Sequence, residues 1–131
     1  MESFQIGQAA RLLGVSPDTV RRWVDSGKLP ATKLQGRRQI KADALASFAQ
    51  AMATGTKPGS LSTTSARNRL IGLVTNVVKD GVMAQVELVC GPYRVVSLIS
   101  REAADELALA PGTLAVASVK ATNVVLELPP S

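Results

Sequence analysis

Histidine is absent from this chain of 131 residues, cysteine occurs once, and aromatic side chains make up only 3% of it. Without histidine the chain has no His-based zinc site and no Ser-His-Asp triad, and it lacks the commonest general base. We find no nucleophile paired with a base, so we predict that the protein is not an enzyme and binds no metal as a bare cation. Cys90 has no partner for an intrachain disulfide and no CxxC spacing, which predicts a small buried apolar residue.

Long apolar runs are also missing from the sequence. No stretch approaches the roughly 18 apolar residues of a membrane-spanning helix, and no charged-then-apolar leader follows Met1. We therefore expect no membrane contact and a cytoplasmic location. With so few aromatics, any core must be built from Val, Leu, Ile and Ala, and a single core is thin below roughly 70–80 residues. If the chain forms two units, we expect at least one to associate with another chain.

The positive charge is concentrated in the first part of the chain. Residues 1–53 carry eight Lys and Arg against four Asp and Glu, whereas residues 54–131 carry seven against six. This asymmetry is expected of a nucleic-acid-binding head joined to a near-neutral partner domain. Residues 54–64 are rich in Gly, Ser, Thr and Pro and lack apolar periodicity, which predicts a flexible linker. We predict an α+β protein of two small domains, residues 1–53 and 65–131.

The first domain begins with the pattern of a helix-turn-helix. Apolar residues at helical spacing predict a first helix over residues 6–13, which Gly14 ends. Ser16 then caps a second helix over about residues 17–26, with Pro17 at its first position. Two short helices joined by a Gly-containing turn make a helix-turn-helix.

A basic wing and a basic helix face point to DNA. Gly36-Arg37-Arg38 lies between short extended pieces, which predicts a hairpin wing before a third helix that starts near Asp43. The second helix would present its N-terminal residues to base edges in the major groove, and the wing arginines would reach a minor groove or lie along phosphates. Each arginine alone fits a solvated face; the ordered set of cap, turn, basic face and wing favours DNA. The predicted DNA-binding residues are Ser16, Thr19, Arg21, Arg22, Arg37 and Arg38.

The same segment resembles a known family. Val20-Arg-Arg-Trp23 followed by Gly27-Lys-Leu-Pro30 resembles the winged head of MerR-type and excisionase-type proteins, and the resemblance extends over about residues 4–49. It implies that the second helix enters the major groove while the wing contacts the backbone or the minor groove. MerR regulators dimerise through a long coiled coil after the head, and no sustained heptad follows here. Dimerisation is therefore expected from another part of the chain.

The second domain has a β pattern. A long β-prone run precedes the hairpin signal Asp80-Gly81. After it, Val82, Ala84, Val86 and Leu88 alternate with Met83, Gln85, Glu87 and Val89, which predicts a half-buried strand. Ser100 is placed to cap a short helix that runs through Leu107. The five predicted strands are residues 68–79, 82–89, 93–99, 113–120 and 124–128. Five short strands with one helix between the third and the fourth fit a small, partly open, OB-like β-barrel.

Three segments of this domain combine hydroxyl, amide and cationic donors without a carboxylate: Ser65-Ala-Arg-Asn68, Val96-Ser-Leu-Ile-Ser100 and Lys120-Ala-Thr-Asn-Val124. A tetrahedral dianion needs such donors from several directions, with positive charge close by. Spacing alone favours ordinary surface charges and capping serines. As a set, the three segments resemble those of the Mop (molbindin, or TOBE) domain of molybdate-binding proteins, over about residues 65–129.

This second resemblance implies a ligand and an assembly. The ligand would be molybdate, or tungstate, which has nearly the same shape and charge. In molbindins the sites lie between subunits, which implies a homo-oligomer through the C-terminal domain, either a dimer or a hexamer, in which residues 97–100 can face another chain's site. Which donors share one pocket stays open. The oxyanion-binding residues implied are Ser65, Ala66, Arg67, Asn68, Ser97, Ser100, Lys120, Ala121 and Thr122.

The fusion of the two domains predicts a molybdate-responsive transcription regulator whose partners are double-stranded DNA, the oxyanion and further copies of itself. A molybdate-buffering oligomer with an accessory head is the first alternative. An architectural, excisionase-like DNA-binding protein with a structural second domain is another. Sequence-specific DNA binding that responds to molybdate would distinguish the first hypothesis from both alternatives.

Overall fold

A computed structural model of the protein describes residues 2–53 and 64–130. The chain divides into two compact units, Met1–Thr54 and Gly55–Ser131, and each is described by itself. Nearly all of the predicted linker, residues 54–63, lies outside the described residues. Within those that are described, no helix is long and apolar enough to cross a membrane.

The first unit is a helix-turn-helix with a small sheet. Its elements, in chain order, are β1 (Ser3–Gln5), α1 (Ile6–Leu13), α2 (Pro17–Asp25), β2 (Thr32–Leu34), β3 (Arg37–Lys41) and α3 (Ala42–Met52). The strands form an antiparallel sheet in the order β1-β3-β2, so the wing hairpin β2–β3 gains a third strand from the start of the chain. The sequence did not predict β1, because three residues are too few for an alternating pattern to stand out.

Local chemistry sets the ends of these elements. Gly14 ends α1 in the left-handed conformation, with φ +71°. The hydroxyl of Ser16 accepts a hydrogen bond from the backbone N–H of Thr19 (3.2 Å) and so caps α2 as predicted. Gln35 and Gly36 both have positive φ, 52° and 79°, as the tight turn between β2 and β3 requires. The predicted helix-turn-helix with a wing is confirmed.

The core of this unit is aliphatic, with one aromatic pair. Val20 of α2, Leu29 and Ile40 of β3 have no exposed surface. The rings of Trp23 and Phe48 pack against this core with their centroids 4.9 Å apart and their planes tilted by 51°. Because α2 contributes both Val20 and Trp23 to the core, its opposite face is free for a partner.

The second unit is a curled antiparallel sheet with one short helix. Its elements are β4 (Asn68–Lys79), β5 (Met83–Cys90), β6 (Tyr93–Ser100), α4 (Arg101–Glu106), β7 (Leu114–Val119) and a single 3₁₀ turn (Ala121–Asn123). The strand order is β6-β5-β4-β7. The first half of β4 pairs with β7 and the second half with β5, and a register shift between Val74 and Asn76 bends the strand between them. One long strand shared by two neighbours produces the curl of the OB-like fold.

Alternation along β5 builds the core of this unit. Ala84, Val86, Leu88 and Cys90 point inward and are buried, whereas the residues between them face outward. Val74 of β4 packs against Val86, Leu88 and Cys90. Cys90 is therefore the buried apolar residue that its isolation in the sequence predicted.

The predicted fifth strand is wrong for the single chain. Residues 124–128 follow the 3₁₀ turn without regular secondary structure, and no strand of the described residues pairs with them. Val125, Leu126 and Leu128 are 89, 89 and 91% exposed. The composition of this tail is β-prone, but a strand also needs a neighbour to satisfy its backbone groups. The sheet of the described residues is thus four-stranded.

Candidate DNA-binding surface and anion site

The exposed face of α2 carries a connected set of polar side chains. The hydroxyls of Ser16 and Thr19 lie 2.9 Å apart, and Nη2 of Arg22 donates to Oγ1 of Thr19 (3.2 Å). Three of the predicted DNA-binding residues are thus brought together along one side of the helix, opposite the buried Val20 and Trp23. The network orients the Arg22 guanidinium and leaves most of its five donors free.

The other three predicted DNA-binding residues occupy a neighbouring surface. Arg21 is ion-paired with Asp18, one turn earlier on α2 (2.6 Å). Arg37 and Arg38 begin β3, directly after the wing turn, and Arg38 is ion-paired with Asp25 at the end of α2 (2.7 Å). The wing is therefore tied to the recognition helix by a pair of side chains. Sequence reasoning missed the two aspartates as partners, since it could not place the wing beside α2.

The β4–β7 ladder brings two of the three donor segments together. Asn68 pairs with Val119 in the register, and its carboxamide Nδ2 donates to the Val119 carbonyl (3.1 Å). Arg67 precedes Asn68 and Lys120 follows Val119, so both cations lie at the same end of the ladder, next to its last pair. Ser65 and Ala66 lie in the loop before β4, and Ala121 and Thr122 lie in the 3₁₀ turn after β7.

The surroundings of this ladder end favour an anion. Arg69 pairs across the ladder with Ser118, and the alternation of strand faces relates it to the positions of Arg67 and Lys120, just beyond the ladder end. None of the three cations forms an ion pair with another described residue, and residues 64–78 and 107–126 contain no Asp or Glu. The sequence could have indicated Arg69, because Arg67 and Arg69 are two apart and a strand places such residues on one face. Three unpaired like charges in one place repel each other, and an oxyanion would offset that repulsion.

The third donor segment lies elsewhere in the single chain. Ser97 is half-buried on β6 opposite Val86, and Ser100 lies opposite Met83. Val86 in turn pairs with Val77, nine residues along β4 from Asn68. Ser97 and Ser100 therefore belong to another part of the sheet and do not join Arg67 and Lys120 within one chain.

Carboxylates surround Ser100. Its hydroxyl accepts from the Ala103 N–H (3.0 Å) to cap α4, and a shallow cavity beside it is lined by Arg101 and by three acidic residues of α4, Glu102, Asp105 and Glu106. The Lys79 ammonium, 2.5 Å from Oδ1 of Asp105, lowers the pKa of that carboxyl and keeps it ionised. Three carboxylates against Arg101 and Lys79 make this region less favourable for a dianion than the end of the β4–β7 ladder.

The outward face of the same ladder is apolar beyond the cations. Ile71 pairs with Val116, and Leu73 with Leu114, and all four side chains are exposed in the single chain. Ile71 is 63% exposed. A patch of paired aliphatic side chains next to a cationic cluster is typical of a surface that another protein chain covers.

Family models match the two units of the chain separately. Residues 4–53 match the family model of a helix-turn-helix domain, and residues 64–126 match that of the TOBE domain. Among curated proteins, none matches the chain.

Three solved structures are similar to the second unit. The cytoplasmic molybdate-binding protein ModG, solved with molybdate bound, is 40% identical over 52% of this chain and 49% of its own, with a TM-score of 0.50. MopII from Clostridium pasteurianum is 36% identical over 50% of this chain and all of its own, with a TM-score of 0.48. A molybdate-binding protein from Sporomusa ovata is 31% identical over 51% of this chain and all of its own, with a TM-score of 0.49.

Proposed function

Because this chain belongs to the helix-turn-helix family through residues 4–53 and to the TOBE family through residues 64–126, we propose that it is a DNA-binding regulator that responds to molybdate. The observation that carries the proposal is the cluster of Arg67, Arg69 and Lys120, in a chain whose other unit presents a capped, arginine-bearing recognition helix. ModG, the relative with molybdate bound, supports this choice of ligand. Tungstate, with similar size and charge, would bind at the same place.

DNA binding is assigned to the surface formed by α2 and the wing. Arg22, held by Thr19, reads base edges in the major groove, where a guanidinium can bind guanine through O6 and N7. The basic residues of the wing add contacts to the phosphate backbone. Both groups are needed, because phosphate contacts give affinity and base contacts give sequence preference.

Molybdate is assigned to the ladder end between β4 and β7, where Arg67, Arg69 and Lys120 supply charge. Ser65 and Thr122 supply hydroxyl donors, and backbone N–H groups of the two loops supply more. The site is open on one side in a single chain, since these residues are exposed. A second copy completes it, bringing residues such as Ser97 that a single chain keeps apart from the cations.

The homo-oligomer is proposed to form through the apolar outward face at Ile71 and through the unpaired tail at residues 124–128. Both are exposed in the single chain and aliphatic apart from Glu127. The apolar face continues along the β4–β7 ladder from the cationic cluster, and the tail follows Lys120 in the sequence. Assembly and ligand binding would then share one interface. Molybdate would promote assembly and so raise the local concentration of DNA-binding heads.

Calorimetric titration of the full chain with sodium molybdate tests the ligand. Wild-type protein should bind molybdate, and Lys120→Ala should lower the affinity at least about tenfold, since one charge-assisted contact is lost. Lys28→Ala, which removes the same charge from the head, is the control and should bind as wild type does. Equal affinity of wild type and Lys120→Ala would contradict the assigned site.

Native mass spectrometry of the same proteins tests the interface. Ile71→Asp places a charge on the proposed contact face and should shift the protein to monomers with weak molybdate binding. Leu12→Asp, at a similarly exposed position of α1, should leave the assembly unchanged. An assembly that survives Ile71→Asp with full molybdate occupancy would overturn the interfacial site.

Tight molybdate binding by a chain that binds all DNA sequences with equal affinity would favour the buffering alternative.

A further inference from the structure

An open cavity of about 450 Å³ lies in the first unit between the first turn of α1, the recognition helix α2 and the wing. Its charged lining consists of Arg21 and Asp25 from α2 and of Arg37 and Arg38 from β3. Gly7 lines it from α1, and a Cβ built on Gly7 would meet no atom within 4 Å. The cavity thus has room for a further group beside three guanidinium groups.

The positive charge of this cavity exceeds the negative. Arg38 gives one nitrogen to Asp25, and Arg21 gives one to Asp18, which does not line the cavity. The guanidinium of Arg37 forms no hydrogen bond or ion pair with any described side chain or backbone group. Each guanidinium has five N–H donors, so most donors of all three remain available. Three cations against one carboxylate would attract an anion.

The position of Arg21 on α2 separates it from the base-reading residues. Arg21 is one residue from Arg22 and so points about 100° away around the helix, toward the wing. Arg22 shares its side of α2 with Thr19 and Ser16. Donors that surround a space from two elements fit a tetrahedral group better than the flat edge of a base.

We propose that this cavity binds one phosphate of the DNA backbone, with Arg21, Arg37 and Arg38 as its ligands. The proposal rests on the proposed DNA-binding function and refines it: Arg21 is a phosphate ligand and not a base reader. Asp25 is a positioning residue, which holds Arg38 at the edge of the cavity while DNA is absent. The subsite fixes how α2 enters the groove, because it grips the backbone from the helix and the wing together.

The test measures binding of the full chain to two duplexes of equal length, one selected by the protein from a random pool and one scrambled. Arg21→Gln and Arg37→Gln should each lower the affinity for both duplexes by the same factor, at least about fivefold. Each should also reduce the slope of log Kobs against log salt by about 0.9. Arg22→Gln should instead lower the affinity for the selected duplex much more than the affinity for the scrambled one.

A second pair of variants tests the cavity itself. Gly7→Glu places a carboxylate in the cavity, and Gln8→Glu adds the same charge one residue later, outside its lining, at the position whose side chain accepts from the Gln5 N–H. Acidic residues suit the first turn of a helix, so both variants should melt at or above the wild-type temperature. Gly7→Glu should lower the affinity for both duplexes at least about fivefold more than Gln8→Glu does.

The results distinguish failure of the phosphate subsite from failure of the proposed function. The phosphate subsite is overturned, while DNA binding stands, if Arg21→Gln lowers the affinity for the selected duplex only. The same conclusion follows if Gly7→Glu and Gln8→Glu lower the affinities by the same factor. If wild-type protein binds no duplex, the proposed function fails and the subsite fails with it. Equal losses on both duplexes for Arg21→Gln and Arg37→Gln, together with the excess loss for Gly7→Glu, establish the subsite.

Discussion

Ser16 serves two purposes at the start of the recognition helix. Its hydroxyl caps α2 through the N–H of Thr19 and also contacts the Thr19 hydroxyl, on the face assigned to DNA. Ser16→Ala should therefore lower the free energy of unfolding of the head by about 1 kcal/mol. Urea unfolding followed by the fluorescence of Trp23, the single tryptophan of the chain, reports on the head alone.

Ser16→Asp separates the two purposes of Ser16. Aspartate caps a helix about as well as serine, so the unfolding midpoint should stay close to that of wild type. DNA binding should nevertheless fall, since a carboxylate on this face repels the negatively charged duplex. If Ser16→Asp binds DNA as tightly as wild type, this face of α2 does not contact the duplex.

Asp80 links the stability of the second unit to pH. Its carboxylate accepts hydrogen bonds from the N–H groups of Met83 and Val82, which lower its pKa below the ordinary value of 3.8. A pKa lowered by folding contributes stability above the unfolded value, and this contribution disappears as the pH falls through the folded pKa. The unfolding midpoint, followed by circular dichroism, should thus drop as the pH falls below about 4. Asp80→Asn, which keeps an acceptor but does not titrate, should show a smaller drop, and an equal drop would contradict this role.

Single residues also show what the sequence could reveal of the site. Residue type and family resemblance were enough to select Arg67 and Lys120, because cations and hydroxyls are the donors an oxyanion requires. Their proximity required the β4–β7 register, in which Asn68 meets Val119 across 51 positions of sequence. Arg69 was missed, although its spacing of two residues from Arg67 at the start of a predicted strand was a usable signal. Asp25 was missed because no local pattern shows that the wing lies beside the end of α2.

At the scale of elements, β4 and β5 approach closely at Gly72. A Cβ at this position would lie 2.6 Å from Sγ of Cys90 and 2.9 Å from the carbonyl oxygen of Val89. Gly72→Ala should therefore destabilise the second unit by roughly 1–3 kcal/mol, because backbone as well as a side chain must move. Urea unfolding followed by circular dichroism measures the loss.

Two further variants identify the cause of that loss. Gly81→Ala, at a turn position where a Cβ meets nothing within 4 Å, should be nearly neutral. Adding Cys90→Ala to Gly72→Ala should restore part of the stability, since the sulfur contact disappears and the contact with the Val89 carbonyl remains. A neutral Gly72→Ala would show that the two strands separate more easily than their packing implies.

Elements with a strong local signal were predicted well, and those that depend on a neighbour were not. The capped helix α2 and the alternating strand β5 follow from their own residues. The short strand β1 exists because β3 offers it an edge, which no local pattern announces. The tail at residues 124–128 has the composition of a strand but no partner within the chain, and a propensity cannot supply one.

At the scale of the whole molecule, assembly is proposed to couple the DNA-binding head to the ligand-binding unit. Thermodynamic linkage makes the coupling reciprocal: if molybdate tightens DNA binding, DNA must tighten molybdate binding by the same factor. Residues 2–53, the described part of the head, include no coiled coil, and the pairing of two heads is proposed to depend on the second unit. Removal of molybdate should therefore weaken DNA binding without unfolding either unit.

The most direct test is the affinity of the full chain for its selected duplex, measured by fluorescence anisotropy without molybdate and with saturating molybdate. Binding should be at least about fivefold tighter with molybdate, in the usual range of allosteric coupling. At the lowest molybdate concentration that saturates wild type, Lys120→Ala should show a smaller gain in DNA affinity. Wild-type binding that is equal in the two conditions, or weaker with molybdate, would contradict the proposed molybdate-promoted DNA binding.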